Sequence, residues 1–221
     1  MHKLILILVT LFLVSCSQVK IPECEKIKEN KWADKRDIQD SVNSCYIRFA
    51  ETSRDDSICK GLSGRHSTSG ILAIDQCFWR VAAAKQEIGM CDMISDKKYA
   101  KNMCIQAVGI SKRDIDLCDT YFSDSKLIGY RIGCYSGVAA EKGDLGTCEE
   151  IKKIQEEDKK ECHRDAAVRK LNGSGCENAI DSRYGCYTGV AIKKNDSSIC
   201  MKISDSYYMS QCTESVRRGH Q

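Results

Sequence analysis

The sequence predicts an all-α protein, built as an α-solenoid of about seven antiparallel helical hairpins. The chain of 221 residues contains a single proline and few aromatic residues, and proline is the residue that interrupts helices most strongly. It contains fifteen cysteines, and every second interval between neighbouring cysteines, from Cys45–Cys59 to Cys186–Cys200, is fourteen residues long, six intervals in all. The intervals between these pairs vary in length. A fixed spacing that alternates with a variable one indicates a repeat whose internal loop changes length.

Seven repeat units of 24 to 35 residues begin at alternate cysteines. The first cysteine of each unit is Cys24, Cys59, Cys91, Cys118, Cys148, Cys176 and Cys200. The second is Cys45, Cys77, Cys104, Cys134, Cys162, Cys186 and Cys212. A unit of this length suits a helical hairpin, in which a short helix A carries the first cysteine and a longer helix B carries the second.

Helix A begins at a capping residue four positions before its cysteine. These residues are Asp55, Glu87, Asp114, Asp144, Asn172 and Asp196, and all but the glutamate have side chains suited to a helix N-terminus. An apolar residue three positions after the cysteine lies on the same helical face. That set is Ile27, Leu62, Ile94, Tyr121, Ile151, Ala179 and Ile203.

Helix B carries an apolar face that starts at its cysteine. Position +4 from the cysteine is occupied by Phe49, Val81, Val108, Val138, Ala166, Val190 and Val216. Position +1 is often aromatic, as at Tyr46, and position +5 is small in six units, as at Ala50. These offsets form one broad stripe, which predicts a core that neighbouring hairpins share.

The helix directions predict which cysteines pair. Helices A and B of one unit run antiparallel, so their cysteines face each other at similar height. Cysteines fourteen residues apart are separated by the length of helix B, too far for the roughly 5.5 Å Cα separation that a disulfide needs. The predicted bonds are 24–45, 59–77, 91–104, 118–134, 148–162, 176–186 and 200–212. Bonding every fourteen-residue couple would leave Cys24 and Cys212 unpaired.

The N-terminus has the features of an export signal. Lys3 is followed by a largely apolar run of eleven residues, 4–14, and then by Ser15 and Cys16, and this run is too short to cross a roughly 30 Å hydrocarbon core. Leu13-Val14-Ser15-Cys16 resembles the lipobox of prokaryotic lipoproteins, which implies cleavage before Cys16 and a lipid on its sulfur. A plain secretory signal and an uncleaved anchor are the alternatives. The expected organisation is a signal peptide at 1–15, a lipidated cysteine and tether at 16–23, and the repeat domain at 24–221.

The hairpin units resemble Sel1-like and tetratricopeptide-type repeats, and in particular the cysteine-rich Sel1-like proteins, whose hairpins are also cross-linked. That resemblance implies an exported binding scaffold or a β-lactam-binding protein. The Ser-x-x-Lys pattern of β-lactam-binding enzymes occurs four times, without the Ser-Asp-Asn or Lys-Thr-Gly that should accompany it. Because these accompanying motifs are missing, we expect no catalytic site. Because no Cys-x-x-Cys is present, we expect neither a metal nor another cofactor.

Two histidines deserve separate interpretation. His163 stands where other units carry Tyr or Phe, which predicts a packing role. His66 lies beside Arg65 in the Gly/Ser-rich segment 61–70. This segment is either a flexible turn or a contact loop, since protruding loops are common binding sites.

The leading functional prediction is a non-catalytic, lipid-anchored protein of the cell envelope that serves as a protein- or peptide-binding scaffold. The tether of seven residues, 17–23, reaches at most about 25 Å and would keep the repeats near the membrane. The alternatives are an envelope enzyme or enzyme inhibitor acting on cell-wall material, and a purely structural surface protein. A net charge of +3 gives no reason to expect nucleic acid as a partner. The oligomeric state cannot be derived from these patterns.

Overall fold

The computed structural model describes residues 20–29, 34–65, 70–151, 156–179 and 183–219. Within these ranges the secondary structure is helical, apart from one isolated β-bridge between Arg65 and Leu72. The all-α prediction is confirmed. Cys16 and His66 lie outside the described residues.

Seven helices correspond to helix B of the seven units. Two further α-helices, α1 and α5, belong to helix A of the first and fourth units. In chain order the described α-helices are α1 Pro22–Glu25, α2 Lys35–Ser53, α3 Ala73–Lys85, α4 Ala100–Lys112, α5 Ile115–Tyr121, α6 Ile128–Lys142, α7 Glu156–Arg169, α8 Arg183–Lys194 and α9 Ser206–Arg218. The B helices are α2, α3, α4, α6, α7, α8 and α9.

Helix A is a single 3-10 helix in most units. It occupies Asp56–Gly61, Ile88–Met93, Leu145–Glu150, Gly173–Asn178 and Ser197–Lys202, and Lys26–Glu29 continues α1 in the same form. Besides α1, which carries Cys24, α5 is the one α-helix in this position among the described residues. The predicted short helix A is therefore present, and in most units it takes the 3-10 form. Six residues are too few for a stable α-helix, and short runs commonly take the 3-10 form.

The junction between units explains the fourteen-residue spacing. Each of the first six B helices ends nine residues after its cysteine at a residue with φ between 54° and 71°. The next residue caps helix A and donates its N–H to the carbonyl at position +5 of helix B, as Asp55 does to Ala50 at 3.0 Å. This is the Schellman pattern of helix termination. Because a helix end and the following cap are fused without a loop, the separation cannot vary.

The capping predictions are confirmed in detail. Asp55, Asp114, Asp144, Asn172 and Asp196 each accept a hydrogen bond from a backbone N–H in the first turn of helix A. Glu87 makes no such bond, because its longer side chain suits the position poorly. At the start of helix B, Asp96, Asp124 and Asp205 accept from the N–H groups that follow them.

All seven predicted disulfides are present. Their Cα–Cα separations run from 5.4 to 5.8 Å, within the usual range. They close loops of 10 to 21 residues, each worth about 3 kcal/mol if chain entropy dominates. Every half-cystine except Cys45 is at most 1% exposed, so the bonds themselves form the centre of the core.

Successive B helices pack side by side in parallel. A Cβ on Gly133 would lie 2.2 Å from the side chain of Gln106, and one on Gly137 would lie 2.3 Å from Ile110. Both contacts join residues 27 apart, with the numbers rising in the same direction on α4 and α6. The helices therefore run parallel, and their N-termini lie along one edge of the array.

The core follows the predicted stripe with two corrections. Position +4 is at most 5% exposed in six units, but Phe49 is 48% exposed. In the described part of the chain no hairpin packs on the outer side of α2, so this position has nothing to cover it. In the fourth unit Tyr121 is 41% exposed and Phe122 is buried instead, because α5 is α-helical and its inward face moves from position +3 to position +4.

Candidate contact surface

Exposed aromatic side chains concentrate on one edge of the array. We call it the turn edge: it comprises the breaks between helices A and B and the first turn of each helix B. Six of the nine tyrosines lie there, namely Tyr99, Tyr121, Tyr130, Tyr184, Tyr207 and Tyr208. The other three are buried at position +1 of helix B.

The last two hairpins carry the densest cluster of tyrosines. The rings of Tyr184 and Tyr208 stack with centroids 4.3 Å apart, and Tyr207 meets Tyr208 edge-on at 5.4 Å. All three remain exposed, Tyr207 to 66%. Stacked rings lose little conformational entropy when a partner binds, and tyrosine supplies both an apolar face and a hydroxyl. This cluster is therefore well suited to contact another molecule.

The third and fourth hairpins form a second group on the same edge. Tyr130 stacks on the buried Phe122 at 5.7 Å. Burial, followed by the charge of neighbouring Tyr99, raises the pKa of Tyr130, so its hydroxyl stays protonated and can donate a hydrogen bond at neutral pH. Hydrogen bonds from the N–H groups of Tyr99 and Lys98 lower the pKa of Asp96, which fixes the start of α4 and hence the position of Tyr99.

The turn edge is long. Its tyrosines extend across five B helices, from α4 to α9, and packed helices lie 8–10 Å apart, so this part of the edge is roughly 35 Å long. Its charged groups are largely paired: Lys101 lies 2.6 Å from Asp92, and Arg183 lies 3.8 Å from Glu177. These pairs belong to single hairpins and do not converge on a common point. The arrangement suits extended contact more than acid–base chemistry.

The predicted contact loop lies on the same edge. Arg65 follows helix A of the second unit, and its Nη1 donates a hydrogen bond to the carbonyl of Gly70 at 2.7 Å. That bond joins the two described ends of the loop. The charge of Arg65 also makes a small contribution to lowering the pKa of Asp96 in the next hairpin. Whether the loop contacts a partner stays a prediction.

His163 packs as predicted. It is 6% exposed, and its Nε2 donates to Oε1 of Glu149 at 2.7 Å. This hydrogen bond lowers the pKa of Glu149. The contact joins two segments of the fifth hairpin, where the +1 aromatic residues of other units lie.

The described residues lack two further kinds of functional feature. They include no group of three or more His, Cys, Asp or Glu side chains arranged to hold a metal ion. Across the same ranges, none of the helices is both long and apolar enough to cross a membrane.

The sequence patterns did not select five of the six turn-edge tyrosines, and they assigned Tyr121 to the inward face of helix A. The sequence does contain a usable signal, because five of the six tyrosines lie two to five residues before the second cysteine of their unit. The pattern was hidden because the apolar stripe was counted only from the cysteine towards the C-terminus.

No family model matches the chain, and neither a curated protein nor a solved structure matches it.

Proposed function

We propose that this chain is a lipid-anchored repeat protein of the cell envelope that binds a protein or peptide along its turn edge. Its seven disulfides indicate an extracytoplasmic protein. Residues 1–15 would serve as the signal peptide and Cys16 would carry the lipid. Support for this comes from the cysteine count: fourteen of the fifteen cysteines are joined in disulfides, which leaves Cys16 as the remaining one.

The observation that carries the binding proposal is the exposed stack of Tyr184, Tyr207 and Tyr208. Binding sites in proteins are enriched in tyrosine, and a repeat array presents the same position of successive units along one line. A segment of about ten residues in extended conformation would span the roughly 35 Å edge. Cross-linked hairpins would hold the tyrosines in place before binding, which lowers the entropy cost of association.

The test compares one double variant with a matched control variant. The double variant Tyr184→Ala/Tyr208→Ala removes the stack, whereas Ile192→Ala removes a similarly exposed apolar group, 39% exposed, near the C-terminal end of α8. Each protein would be used to capture envelope proteins from detergent-extracted membranes, with quantification of each captured protein by mass spectrometry. At least one protein should be lost with the double variant and retained with the control. Equal capture by both variants would contradict the proposal.

Lipid anchoring has its own test. Intact mass of the protein extracted from membranes should correspond to the chain beginning at Cys16, with added acyl groups. A mass that includes residues 1–15, or one that lacks acyl groups, would contradict the anchoring part of the proposal and leave the binding part standing.

A further inference from the structure

The outer face of α2 forms an open groove. Its volume is about 790 Å³, and Asp37, Ser41, Ser44 and Arg48 all line it. Inside the array the corresponding face of each helix B is covered by the preceding hairpin, as Ile110 of α4 covers Gly137 of α6. No described residue covers the face of α2 in this way, and the geometry of the array indicates that the groove has the shape to receive a helix.

The four residues form a single stripe along α2. They are spaced by four, three and four positions, which places them on one side of an α-helix. In chain order the stripe is acidic, small, small and basic, and Asp40 lines the same groove beside the stripe. The charged ends lie eleven residues apart, about 16 Å along the helix axis.

This order is complementary to itself when reversed. If a second α2 lies antiparallel across the first, Asp37 faces the second copy's Arg48, and Ser41 faces the second copy's Ser44. Both ion pairs form together, because the separation of acid and base is the same on each helix. The small serines at the crossing point allow the backbones to approach closely. A parallel arrangement would instead place like charges opposite each other.

An exposed aromatic residue adjoins the stripe. Phe49 lines the same groove and is 48% exposed, whereas the equivalent residue of the other six units is at most 5% exposed. Ile27, which is half-buried, also lines the groove and supplies a second apolar side chain. A second helix in the groove would remove both from water, which is the favourable contribution that the ion pairs alone would not provide.

We propose that α2 is a dimerisation helix, and that two copies of this chain associate antiparallel through the Asp37–Ser41–Ser44–Arg48 stripe, with Phe49 buried between them. The contact has two-fold symmetry, so the same surface serves in both copies and the assembly closes at two. One face of a 19-residue helix is smaller than a standard interface, so the dimer is of low affinity in dilute solution. This inference does not depend on the proposed function.

The experiment measures self-association of the purified full chain by sedimentation equilibrium in density-matched detergent, over a concentration series up to about 1 mM. The wild type should show a monomer–dimer equilibrium. Asp37→Arg and Arg48→Asp each replace two attractive pairs with two repulsive ones, and each should raise the dissociation constant about 10- to 30-fold. The double variant D37R/R48D restores opposite charges across the interface and should return the constant to within about threefold of the wild type.

Controls separate charge complementarity from net charge and folding. Glu141→Arg on α6 and Lys193→Asp on α8 make the same charge changes on exposed surface elsewhere and should leave the dissociation constant unchanged. Circular dichroism of each variant checks helical content. A wild type that stays monomeric throughout the series, a dimer indifferent to the single charge reversals, or failure of the double variant to restore association would each overturn the inference.

Discussion

Asp75 joins the second and third hairpins through a buried carboxylate. It lies on α3 and is 1% exposed. Its oxygens accept three hydrogen bonds from the turn of the next unit: from the N–H of Ser95 at 2.8 Å, from the hydroxyl of Ser95 at 2.7 Å, and from the N–H of Asp96 at 3.1 Å. No sequence pattern predicts this contact, because it joins two different units.

The substitution Asp75→Asn keeps the shape of the side chain and removes part of its acceptor capacity. In either orientation of the amide, one backbone N–H of Ser95 or Asp96 faces an NH2 group and loses its partner. A hydrogen bond to a charged group contributes about 1.5–3 kcal/mol, and an unsatisfied buried donor costs a similar amount. The variant no longer buries a charge, which offsets part of the loss. We expect a net destabilisation of about 2 kcal/mol, or roughly 4–8 °C in Tm for a chain of this length.

The assay is denaturant unfolding with the disulfides intact, together with hydrogen exchange of the amides of Ser95 and Asp96. The matched control is Asp92→Asn in the third hairpin, the hairpin that also carries Ser95, where the carboxylate is 73% exposed and paired with Lys101. This variant should lose far less stability than Asp75→Asn, since exposed ion pairs contribute little. Equal stability of the two variants, or unchanged protection of the two amides, would refute the account of Asp75 as the connection between units.

Three further predictions concern the repeat junction, the helix contact and an ion pair. Arg54 has φ of 56° at the end of α2, so Arg54→Gly should raise the free energy of unfolding by about 0.5–1 kcal/mol, whereas Gly143→Ala at the equivalent position should lower it by a similar amount. Chemical denaturation measures both changes. A less stable Arg54→Gly variant or a more stable Gly143→Ala variant would contradict the assigned junction. Gly137→Ala should cost about 1–3 kcal/mol because its Cβ meets the isoleucine of α4 at 2.3 Å, and shortening that isoleucine to alanine in the same chain should recover most of the loss. The hydrogen bond to Lys85, at 2.5 Å, lowers the pKa of Asp56, so its contribution to stability is complete above about pH 3.8, the ordinary value, and disappears as the pH falls through the depressed pKa. The difference in the free energy of unfolding between wild type and Lys85→Met should therefore be constant near neutral pH and vanish once the pH is below the depressed pKa. A difference that persists in strong acid would refute the assignment.

The arrangement of the hairpins could be predicted because the signals that determine it are local and repeated. The cap before Cys59, the apolar residues after Cys77 and the constant separation between units all act within a few residues. Repetition then multiplies the evidence. The pairing of cysteines could be predicted from helix direction, since the two cysteines of a hairpin lie at the same height whereas cysteines fourteen residues apart lie at different heights.

The form of helix A could not be predicted in the same way. Whether a six-residue turn is 3-10 or α-helical depends on small differences in packing, and the change of form in α5 moves Phe122 into the core in place of Tyr121. The exposure of Phe49 has a different cause: the same apolar position is buried in the units that another hairpin precedes, whereas no hairpin among the described residues covers Phe49. Local pattern is identical in the two situations, so only the tertiary arrangement distinguishes them.

The candidate site was only partly predictable. Arg65 was selected because it lies in a loop, and the structure places it on the turn edge. The stacking of Tyr184 on Tyr208 depends on parallel packing of α8 and α9, a property of the array that no single unit encodes. A surface cluster formed by several repeats can be predicted only when the relative placement of those repeats is known. The fixed junctions determine that placement, but their geometry is not visible in the sequence.

The central claim is that each hairpin is closed by its own disulfide and that the fourteen-residue separations join consecutive hairpins. Non-reducing peptide mapping of the exported protein by mass spectrometry tests it most directly. The account predicts seven cross-linked peptide pairs, 24–45, 59–77, 91–104, 118–134, 148–162, 176–186 and 200–212. Bonds between cysteines fourteen residues apart, or free thiols among these fourteen positions, would contradict it.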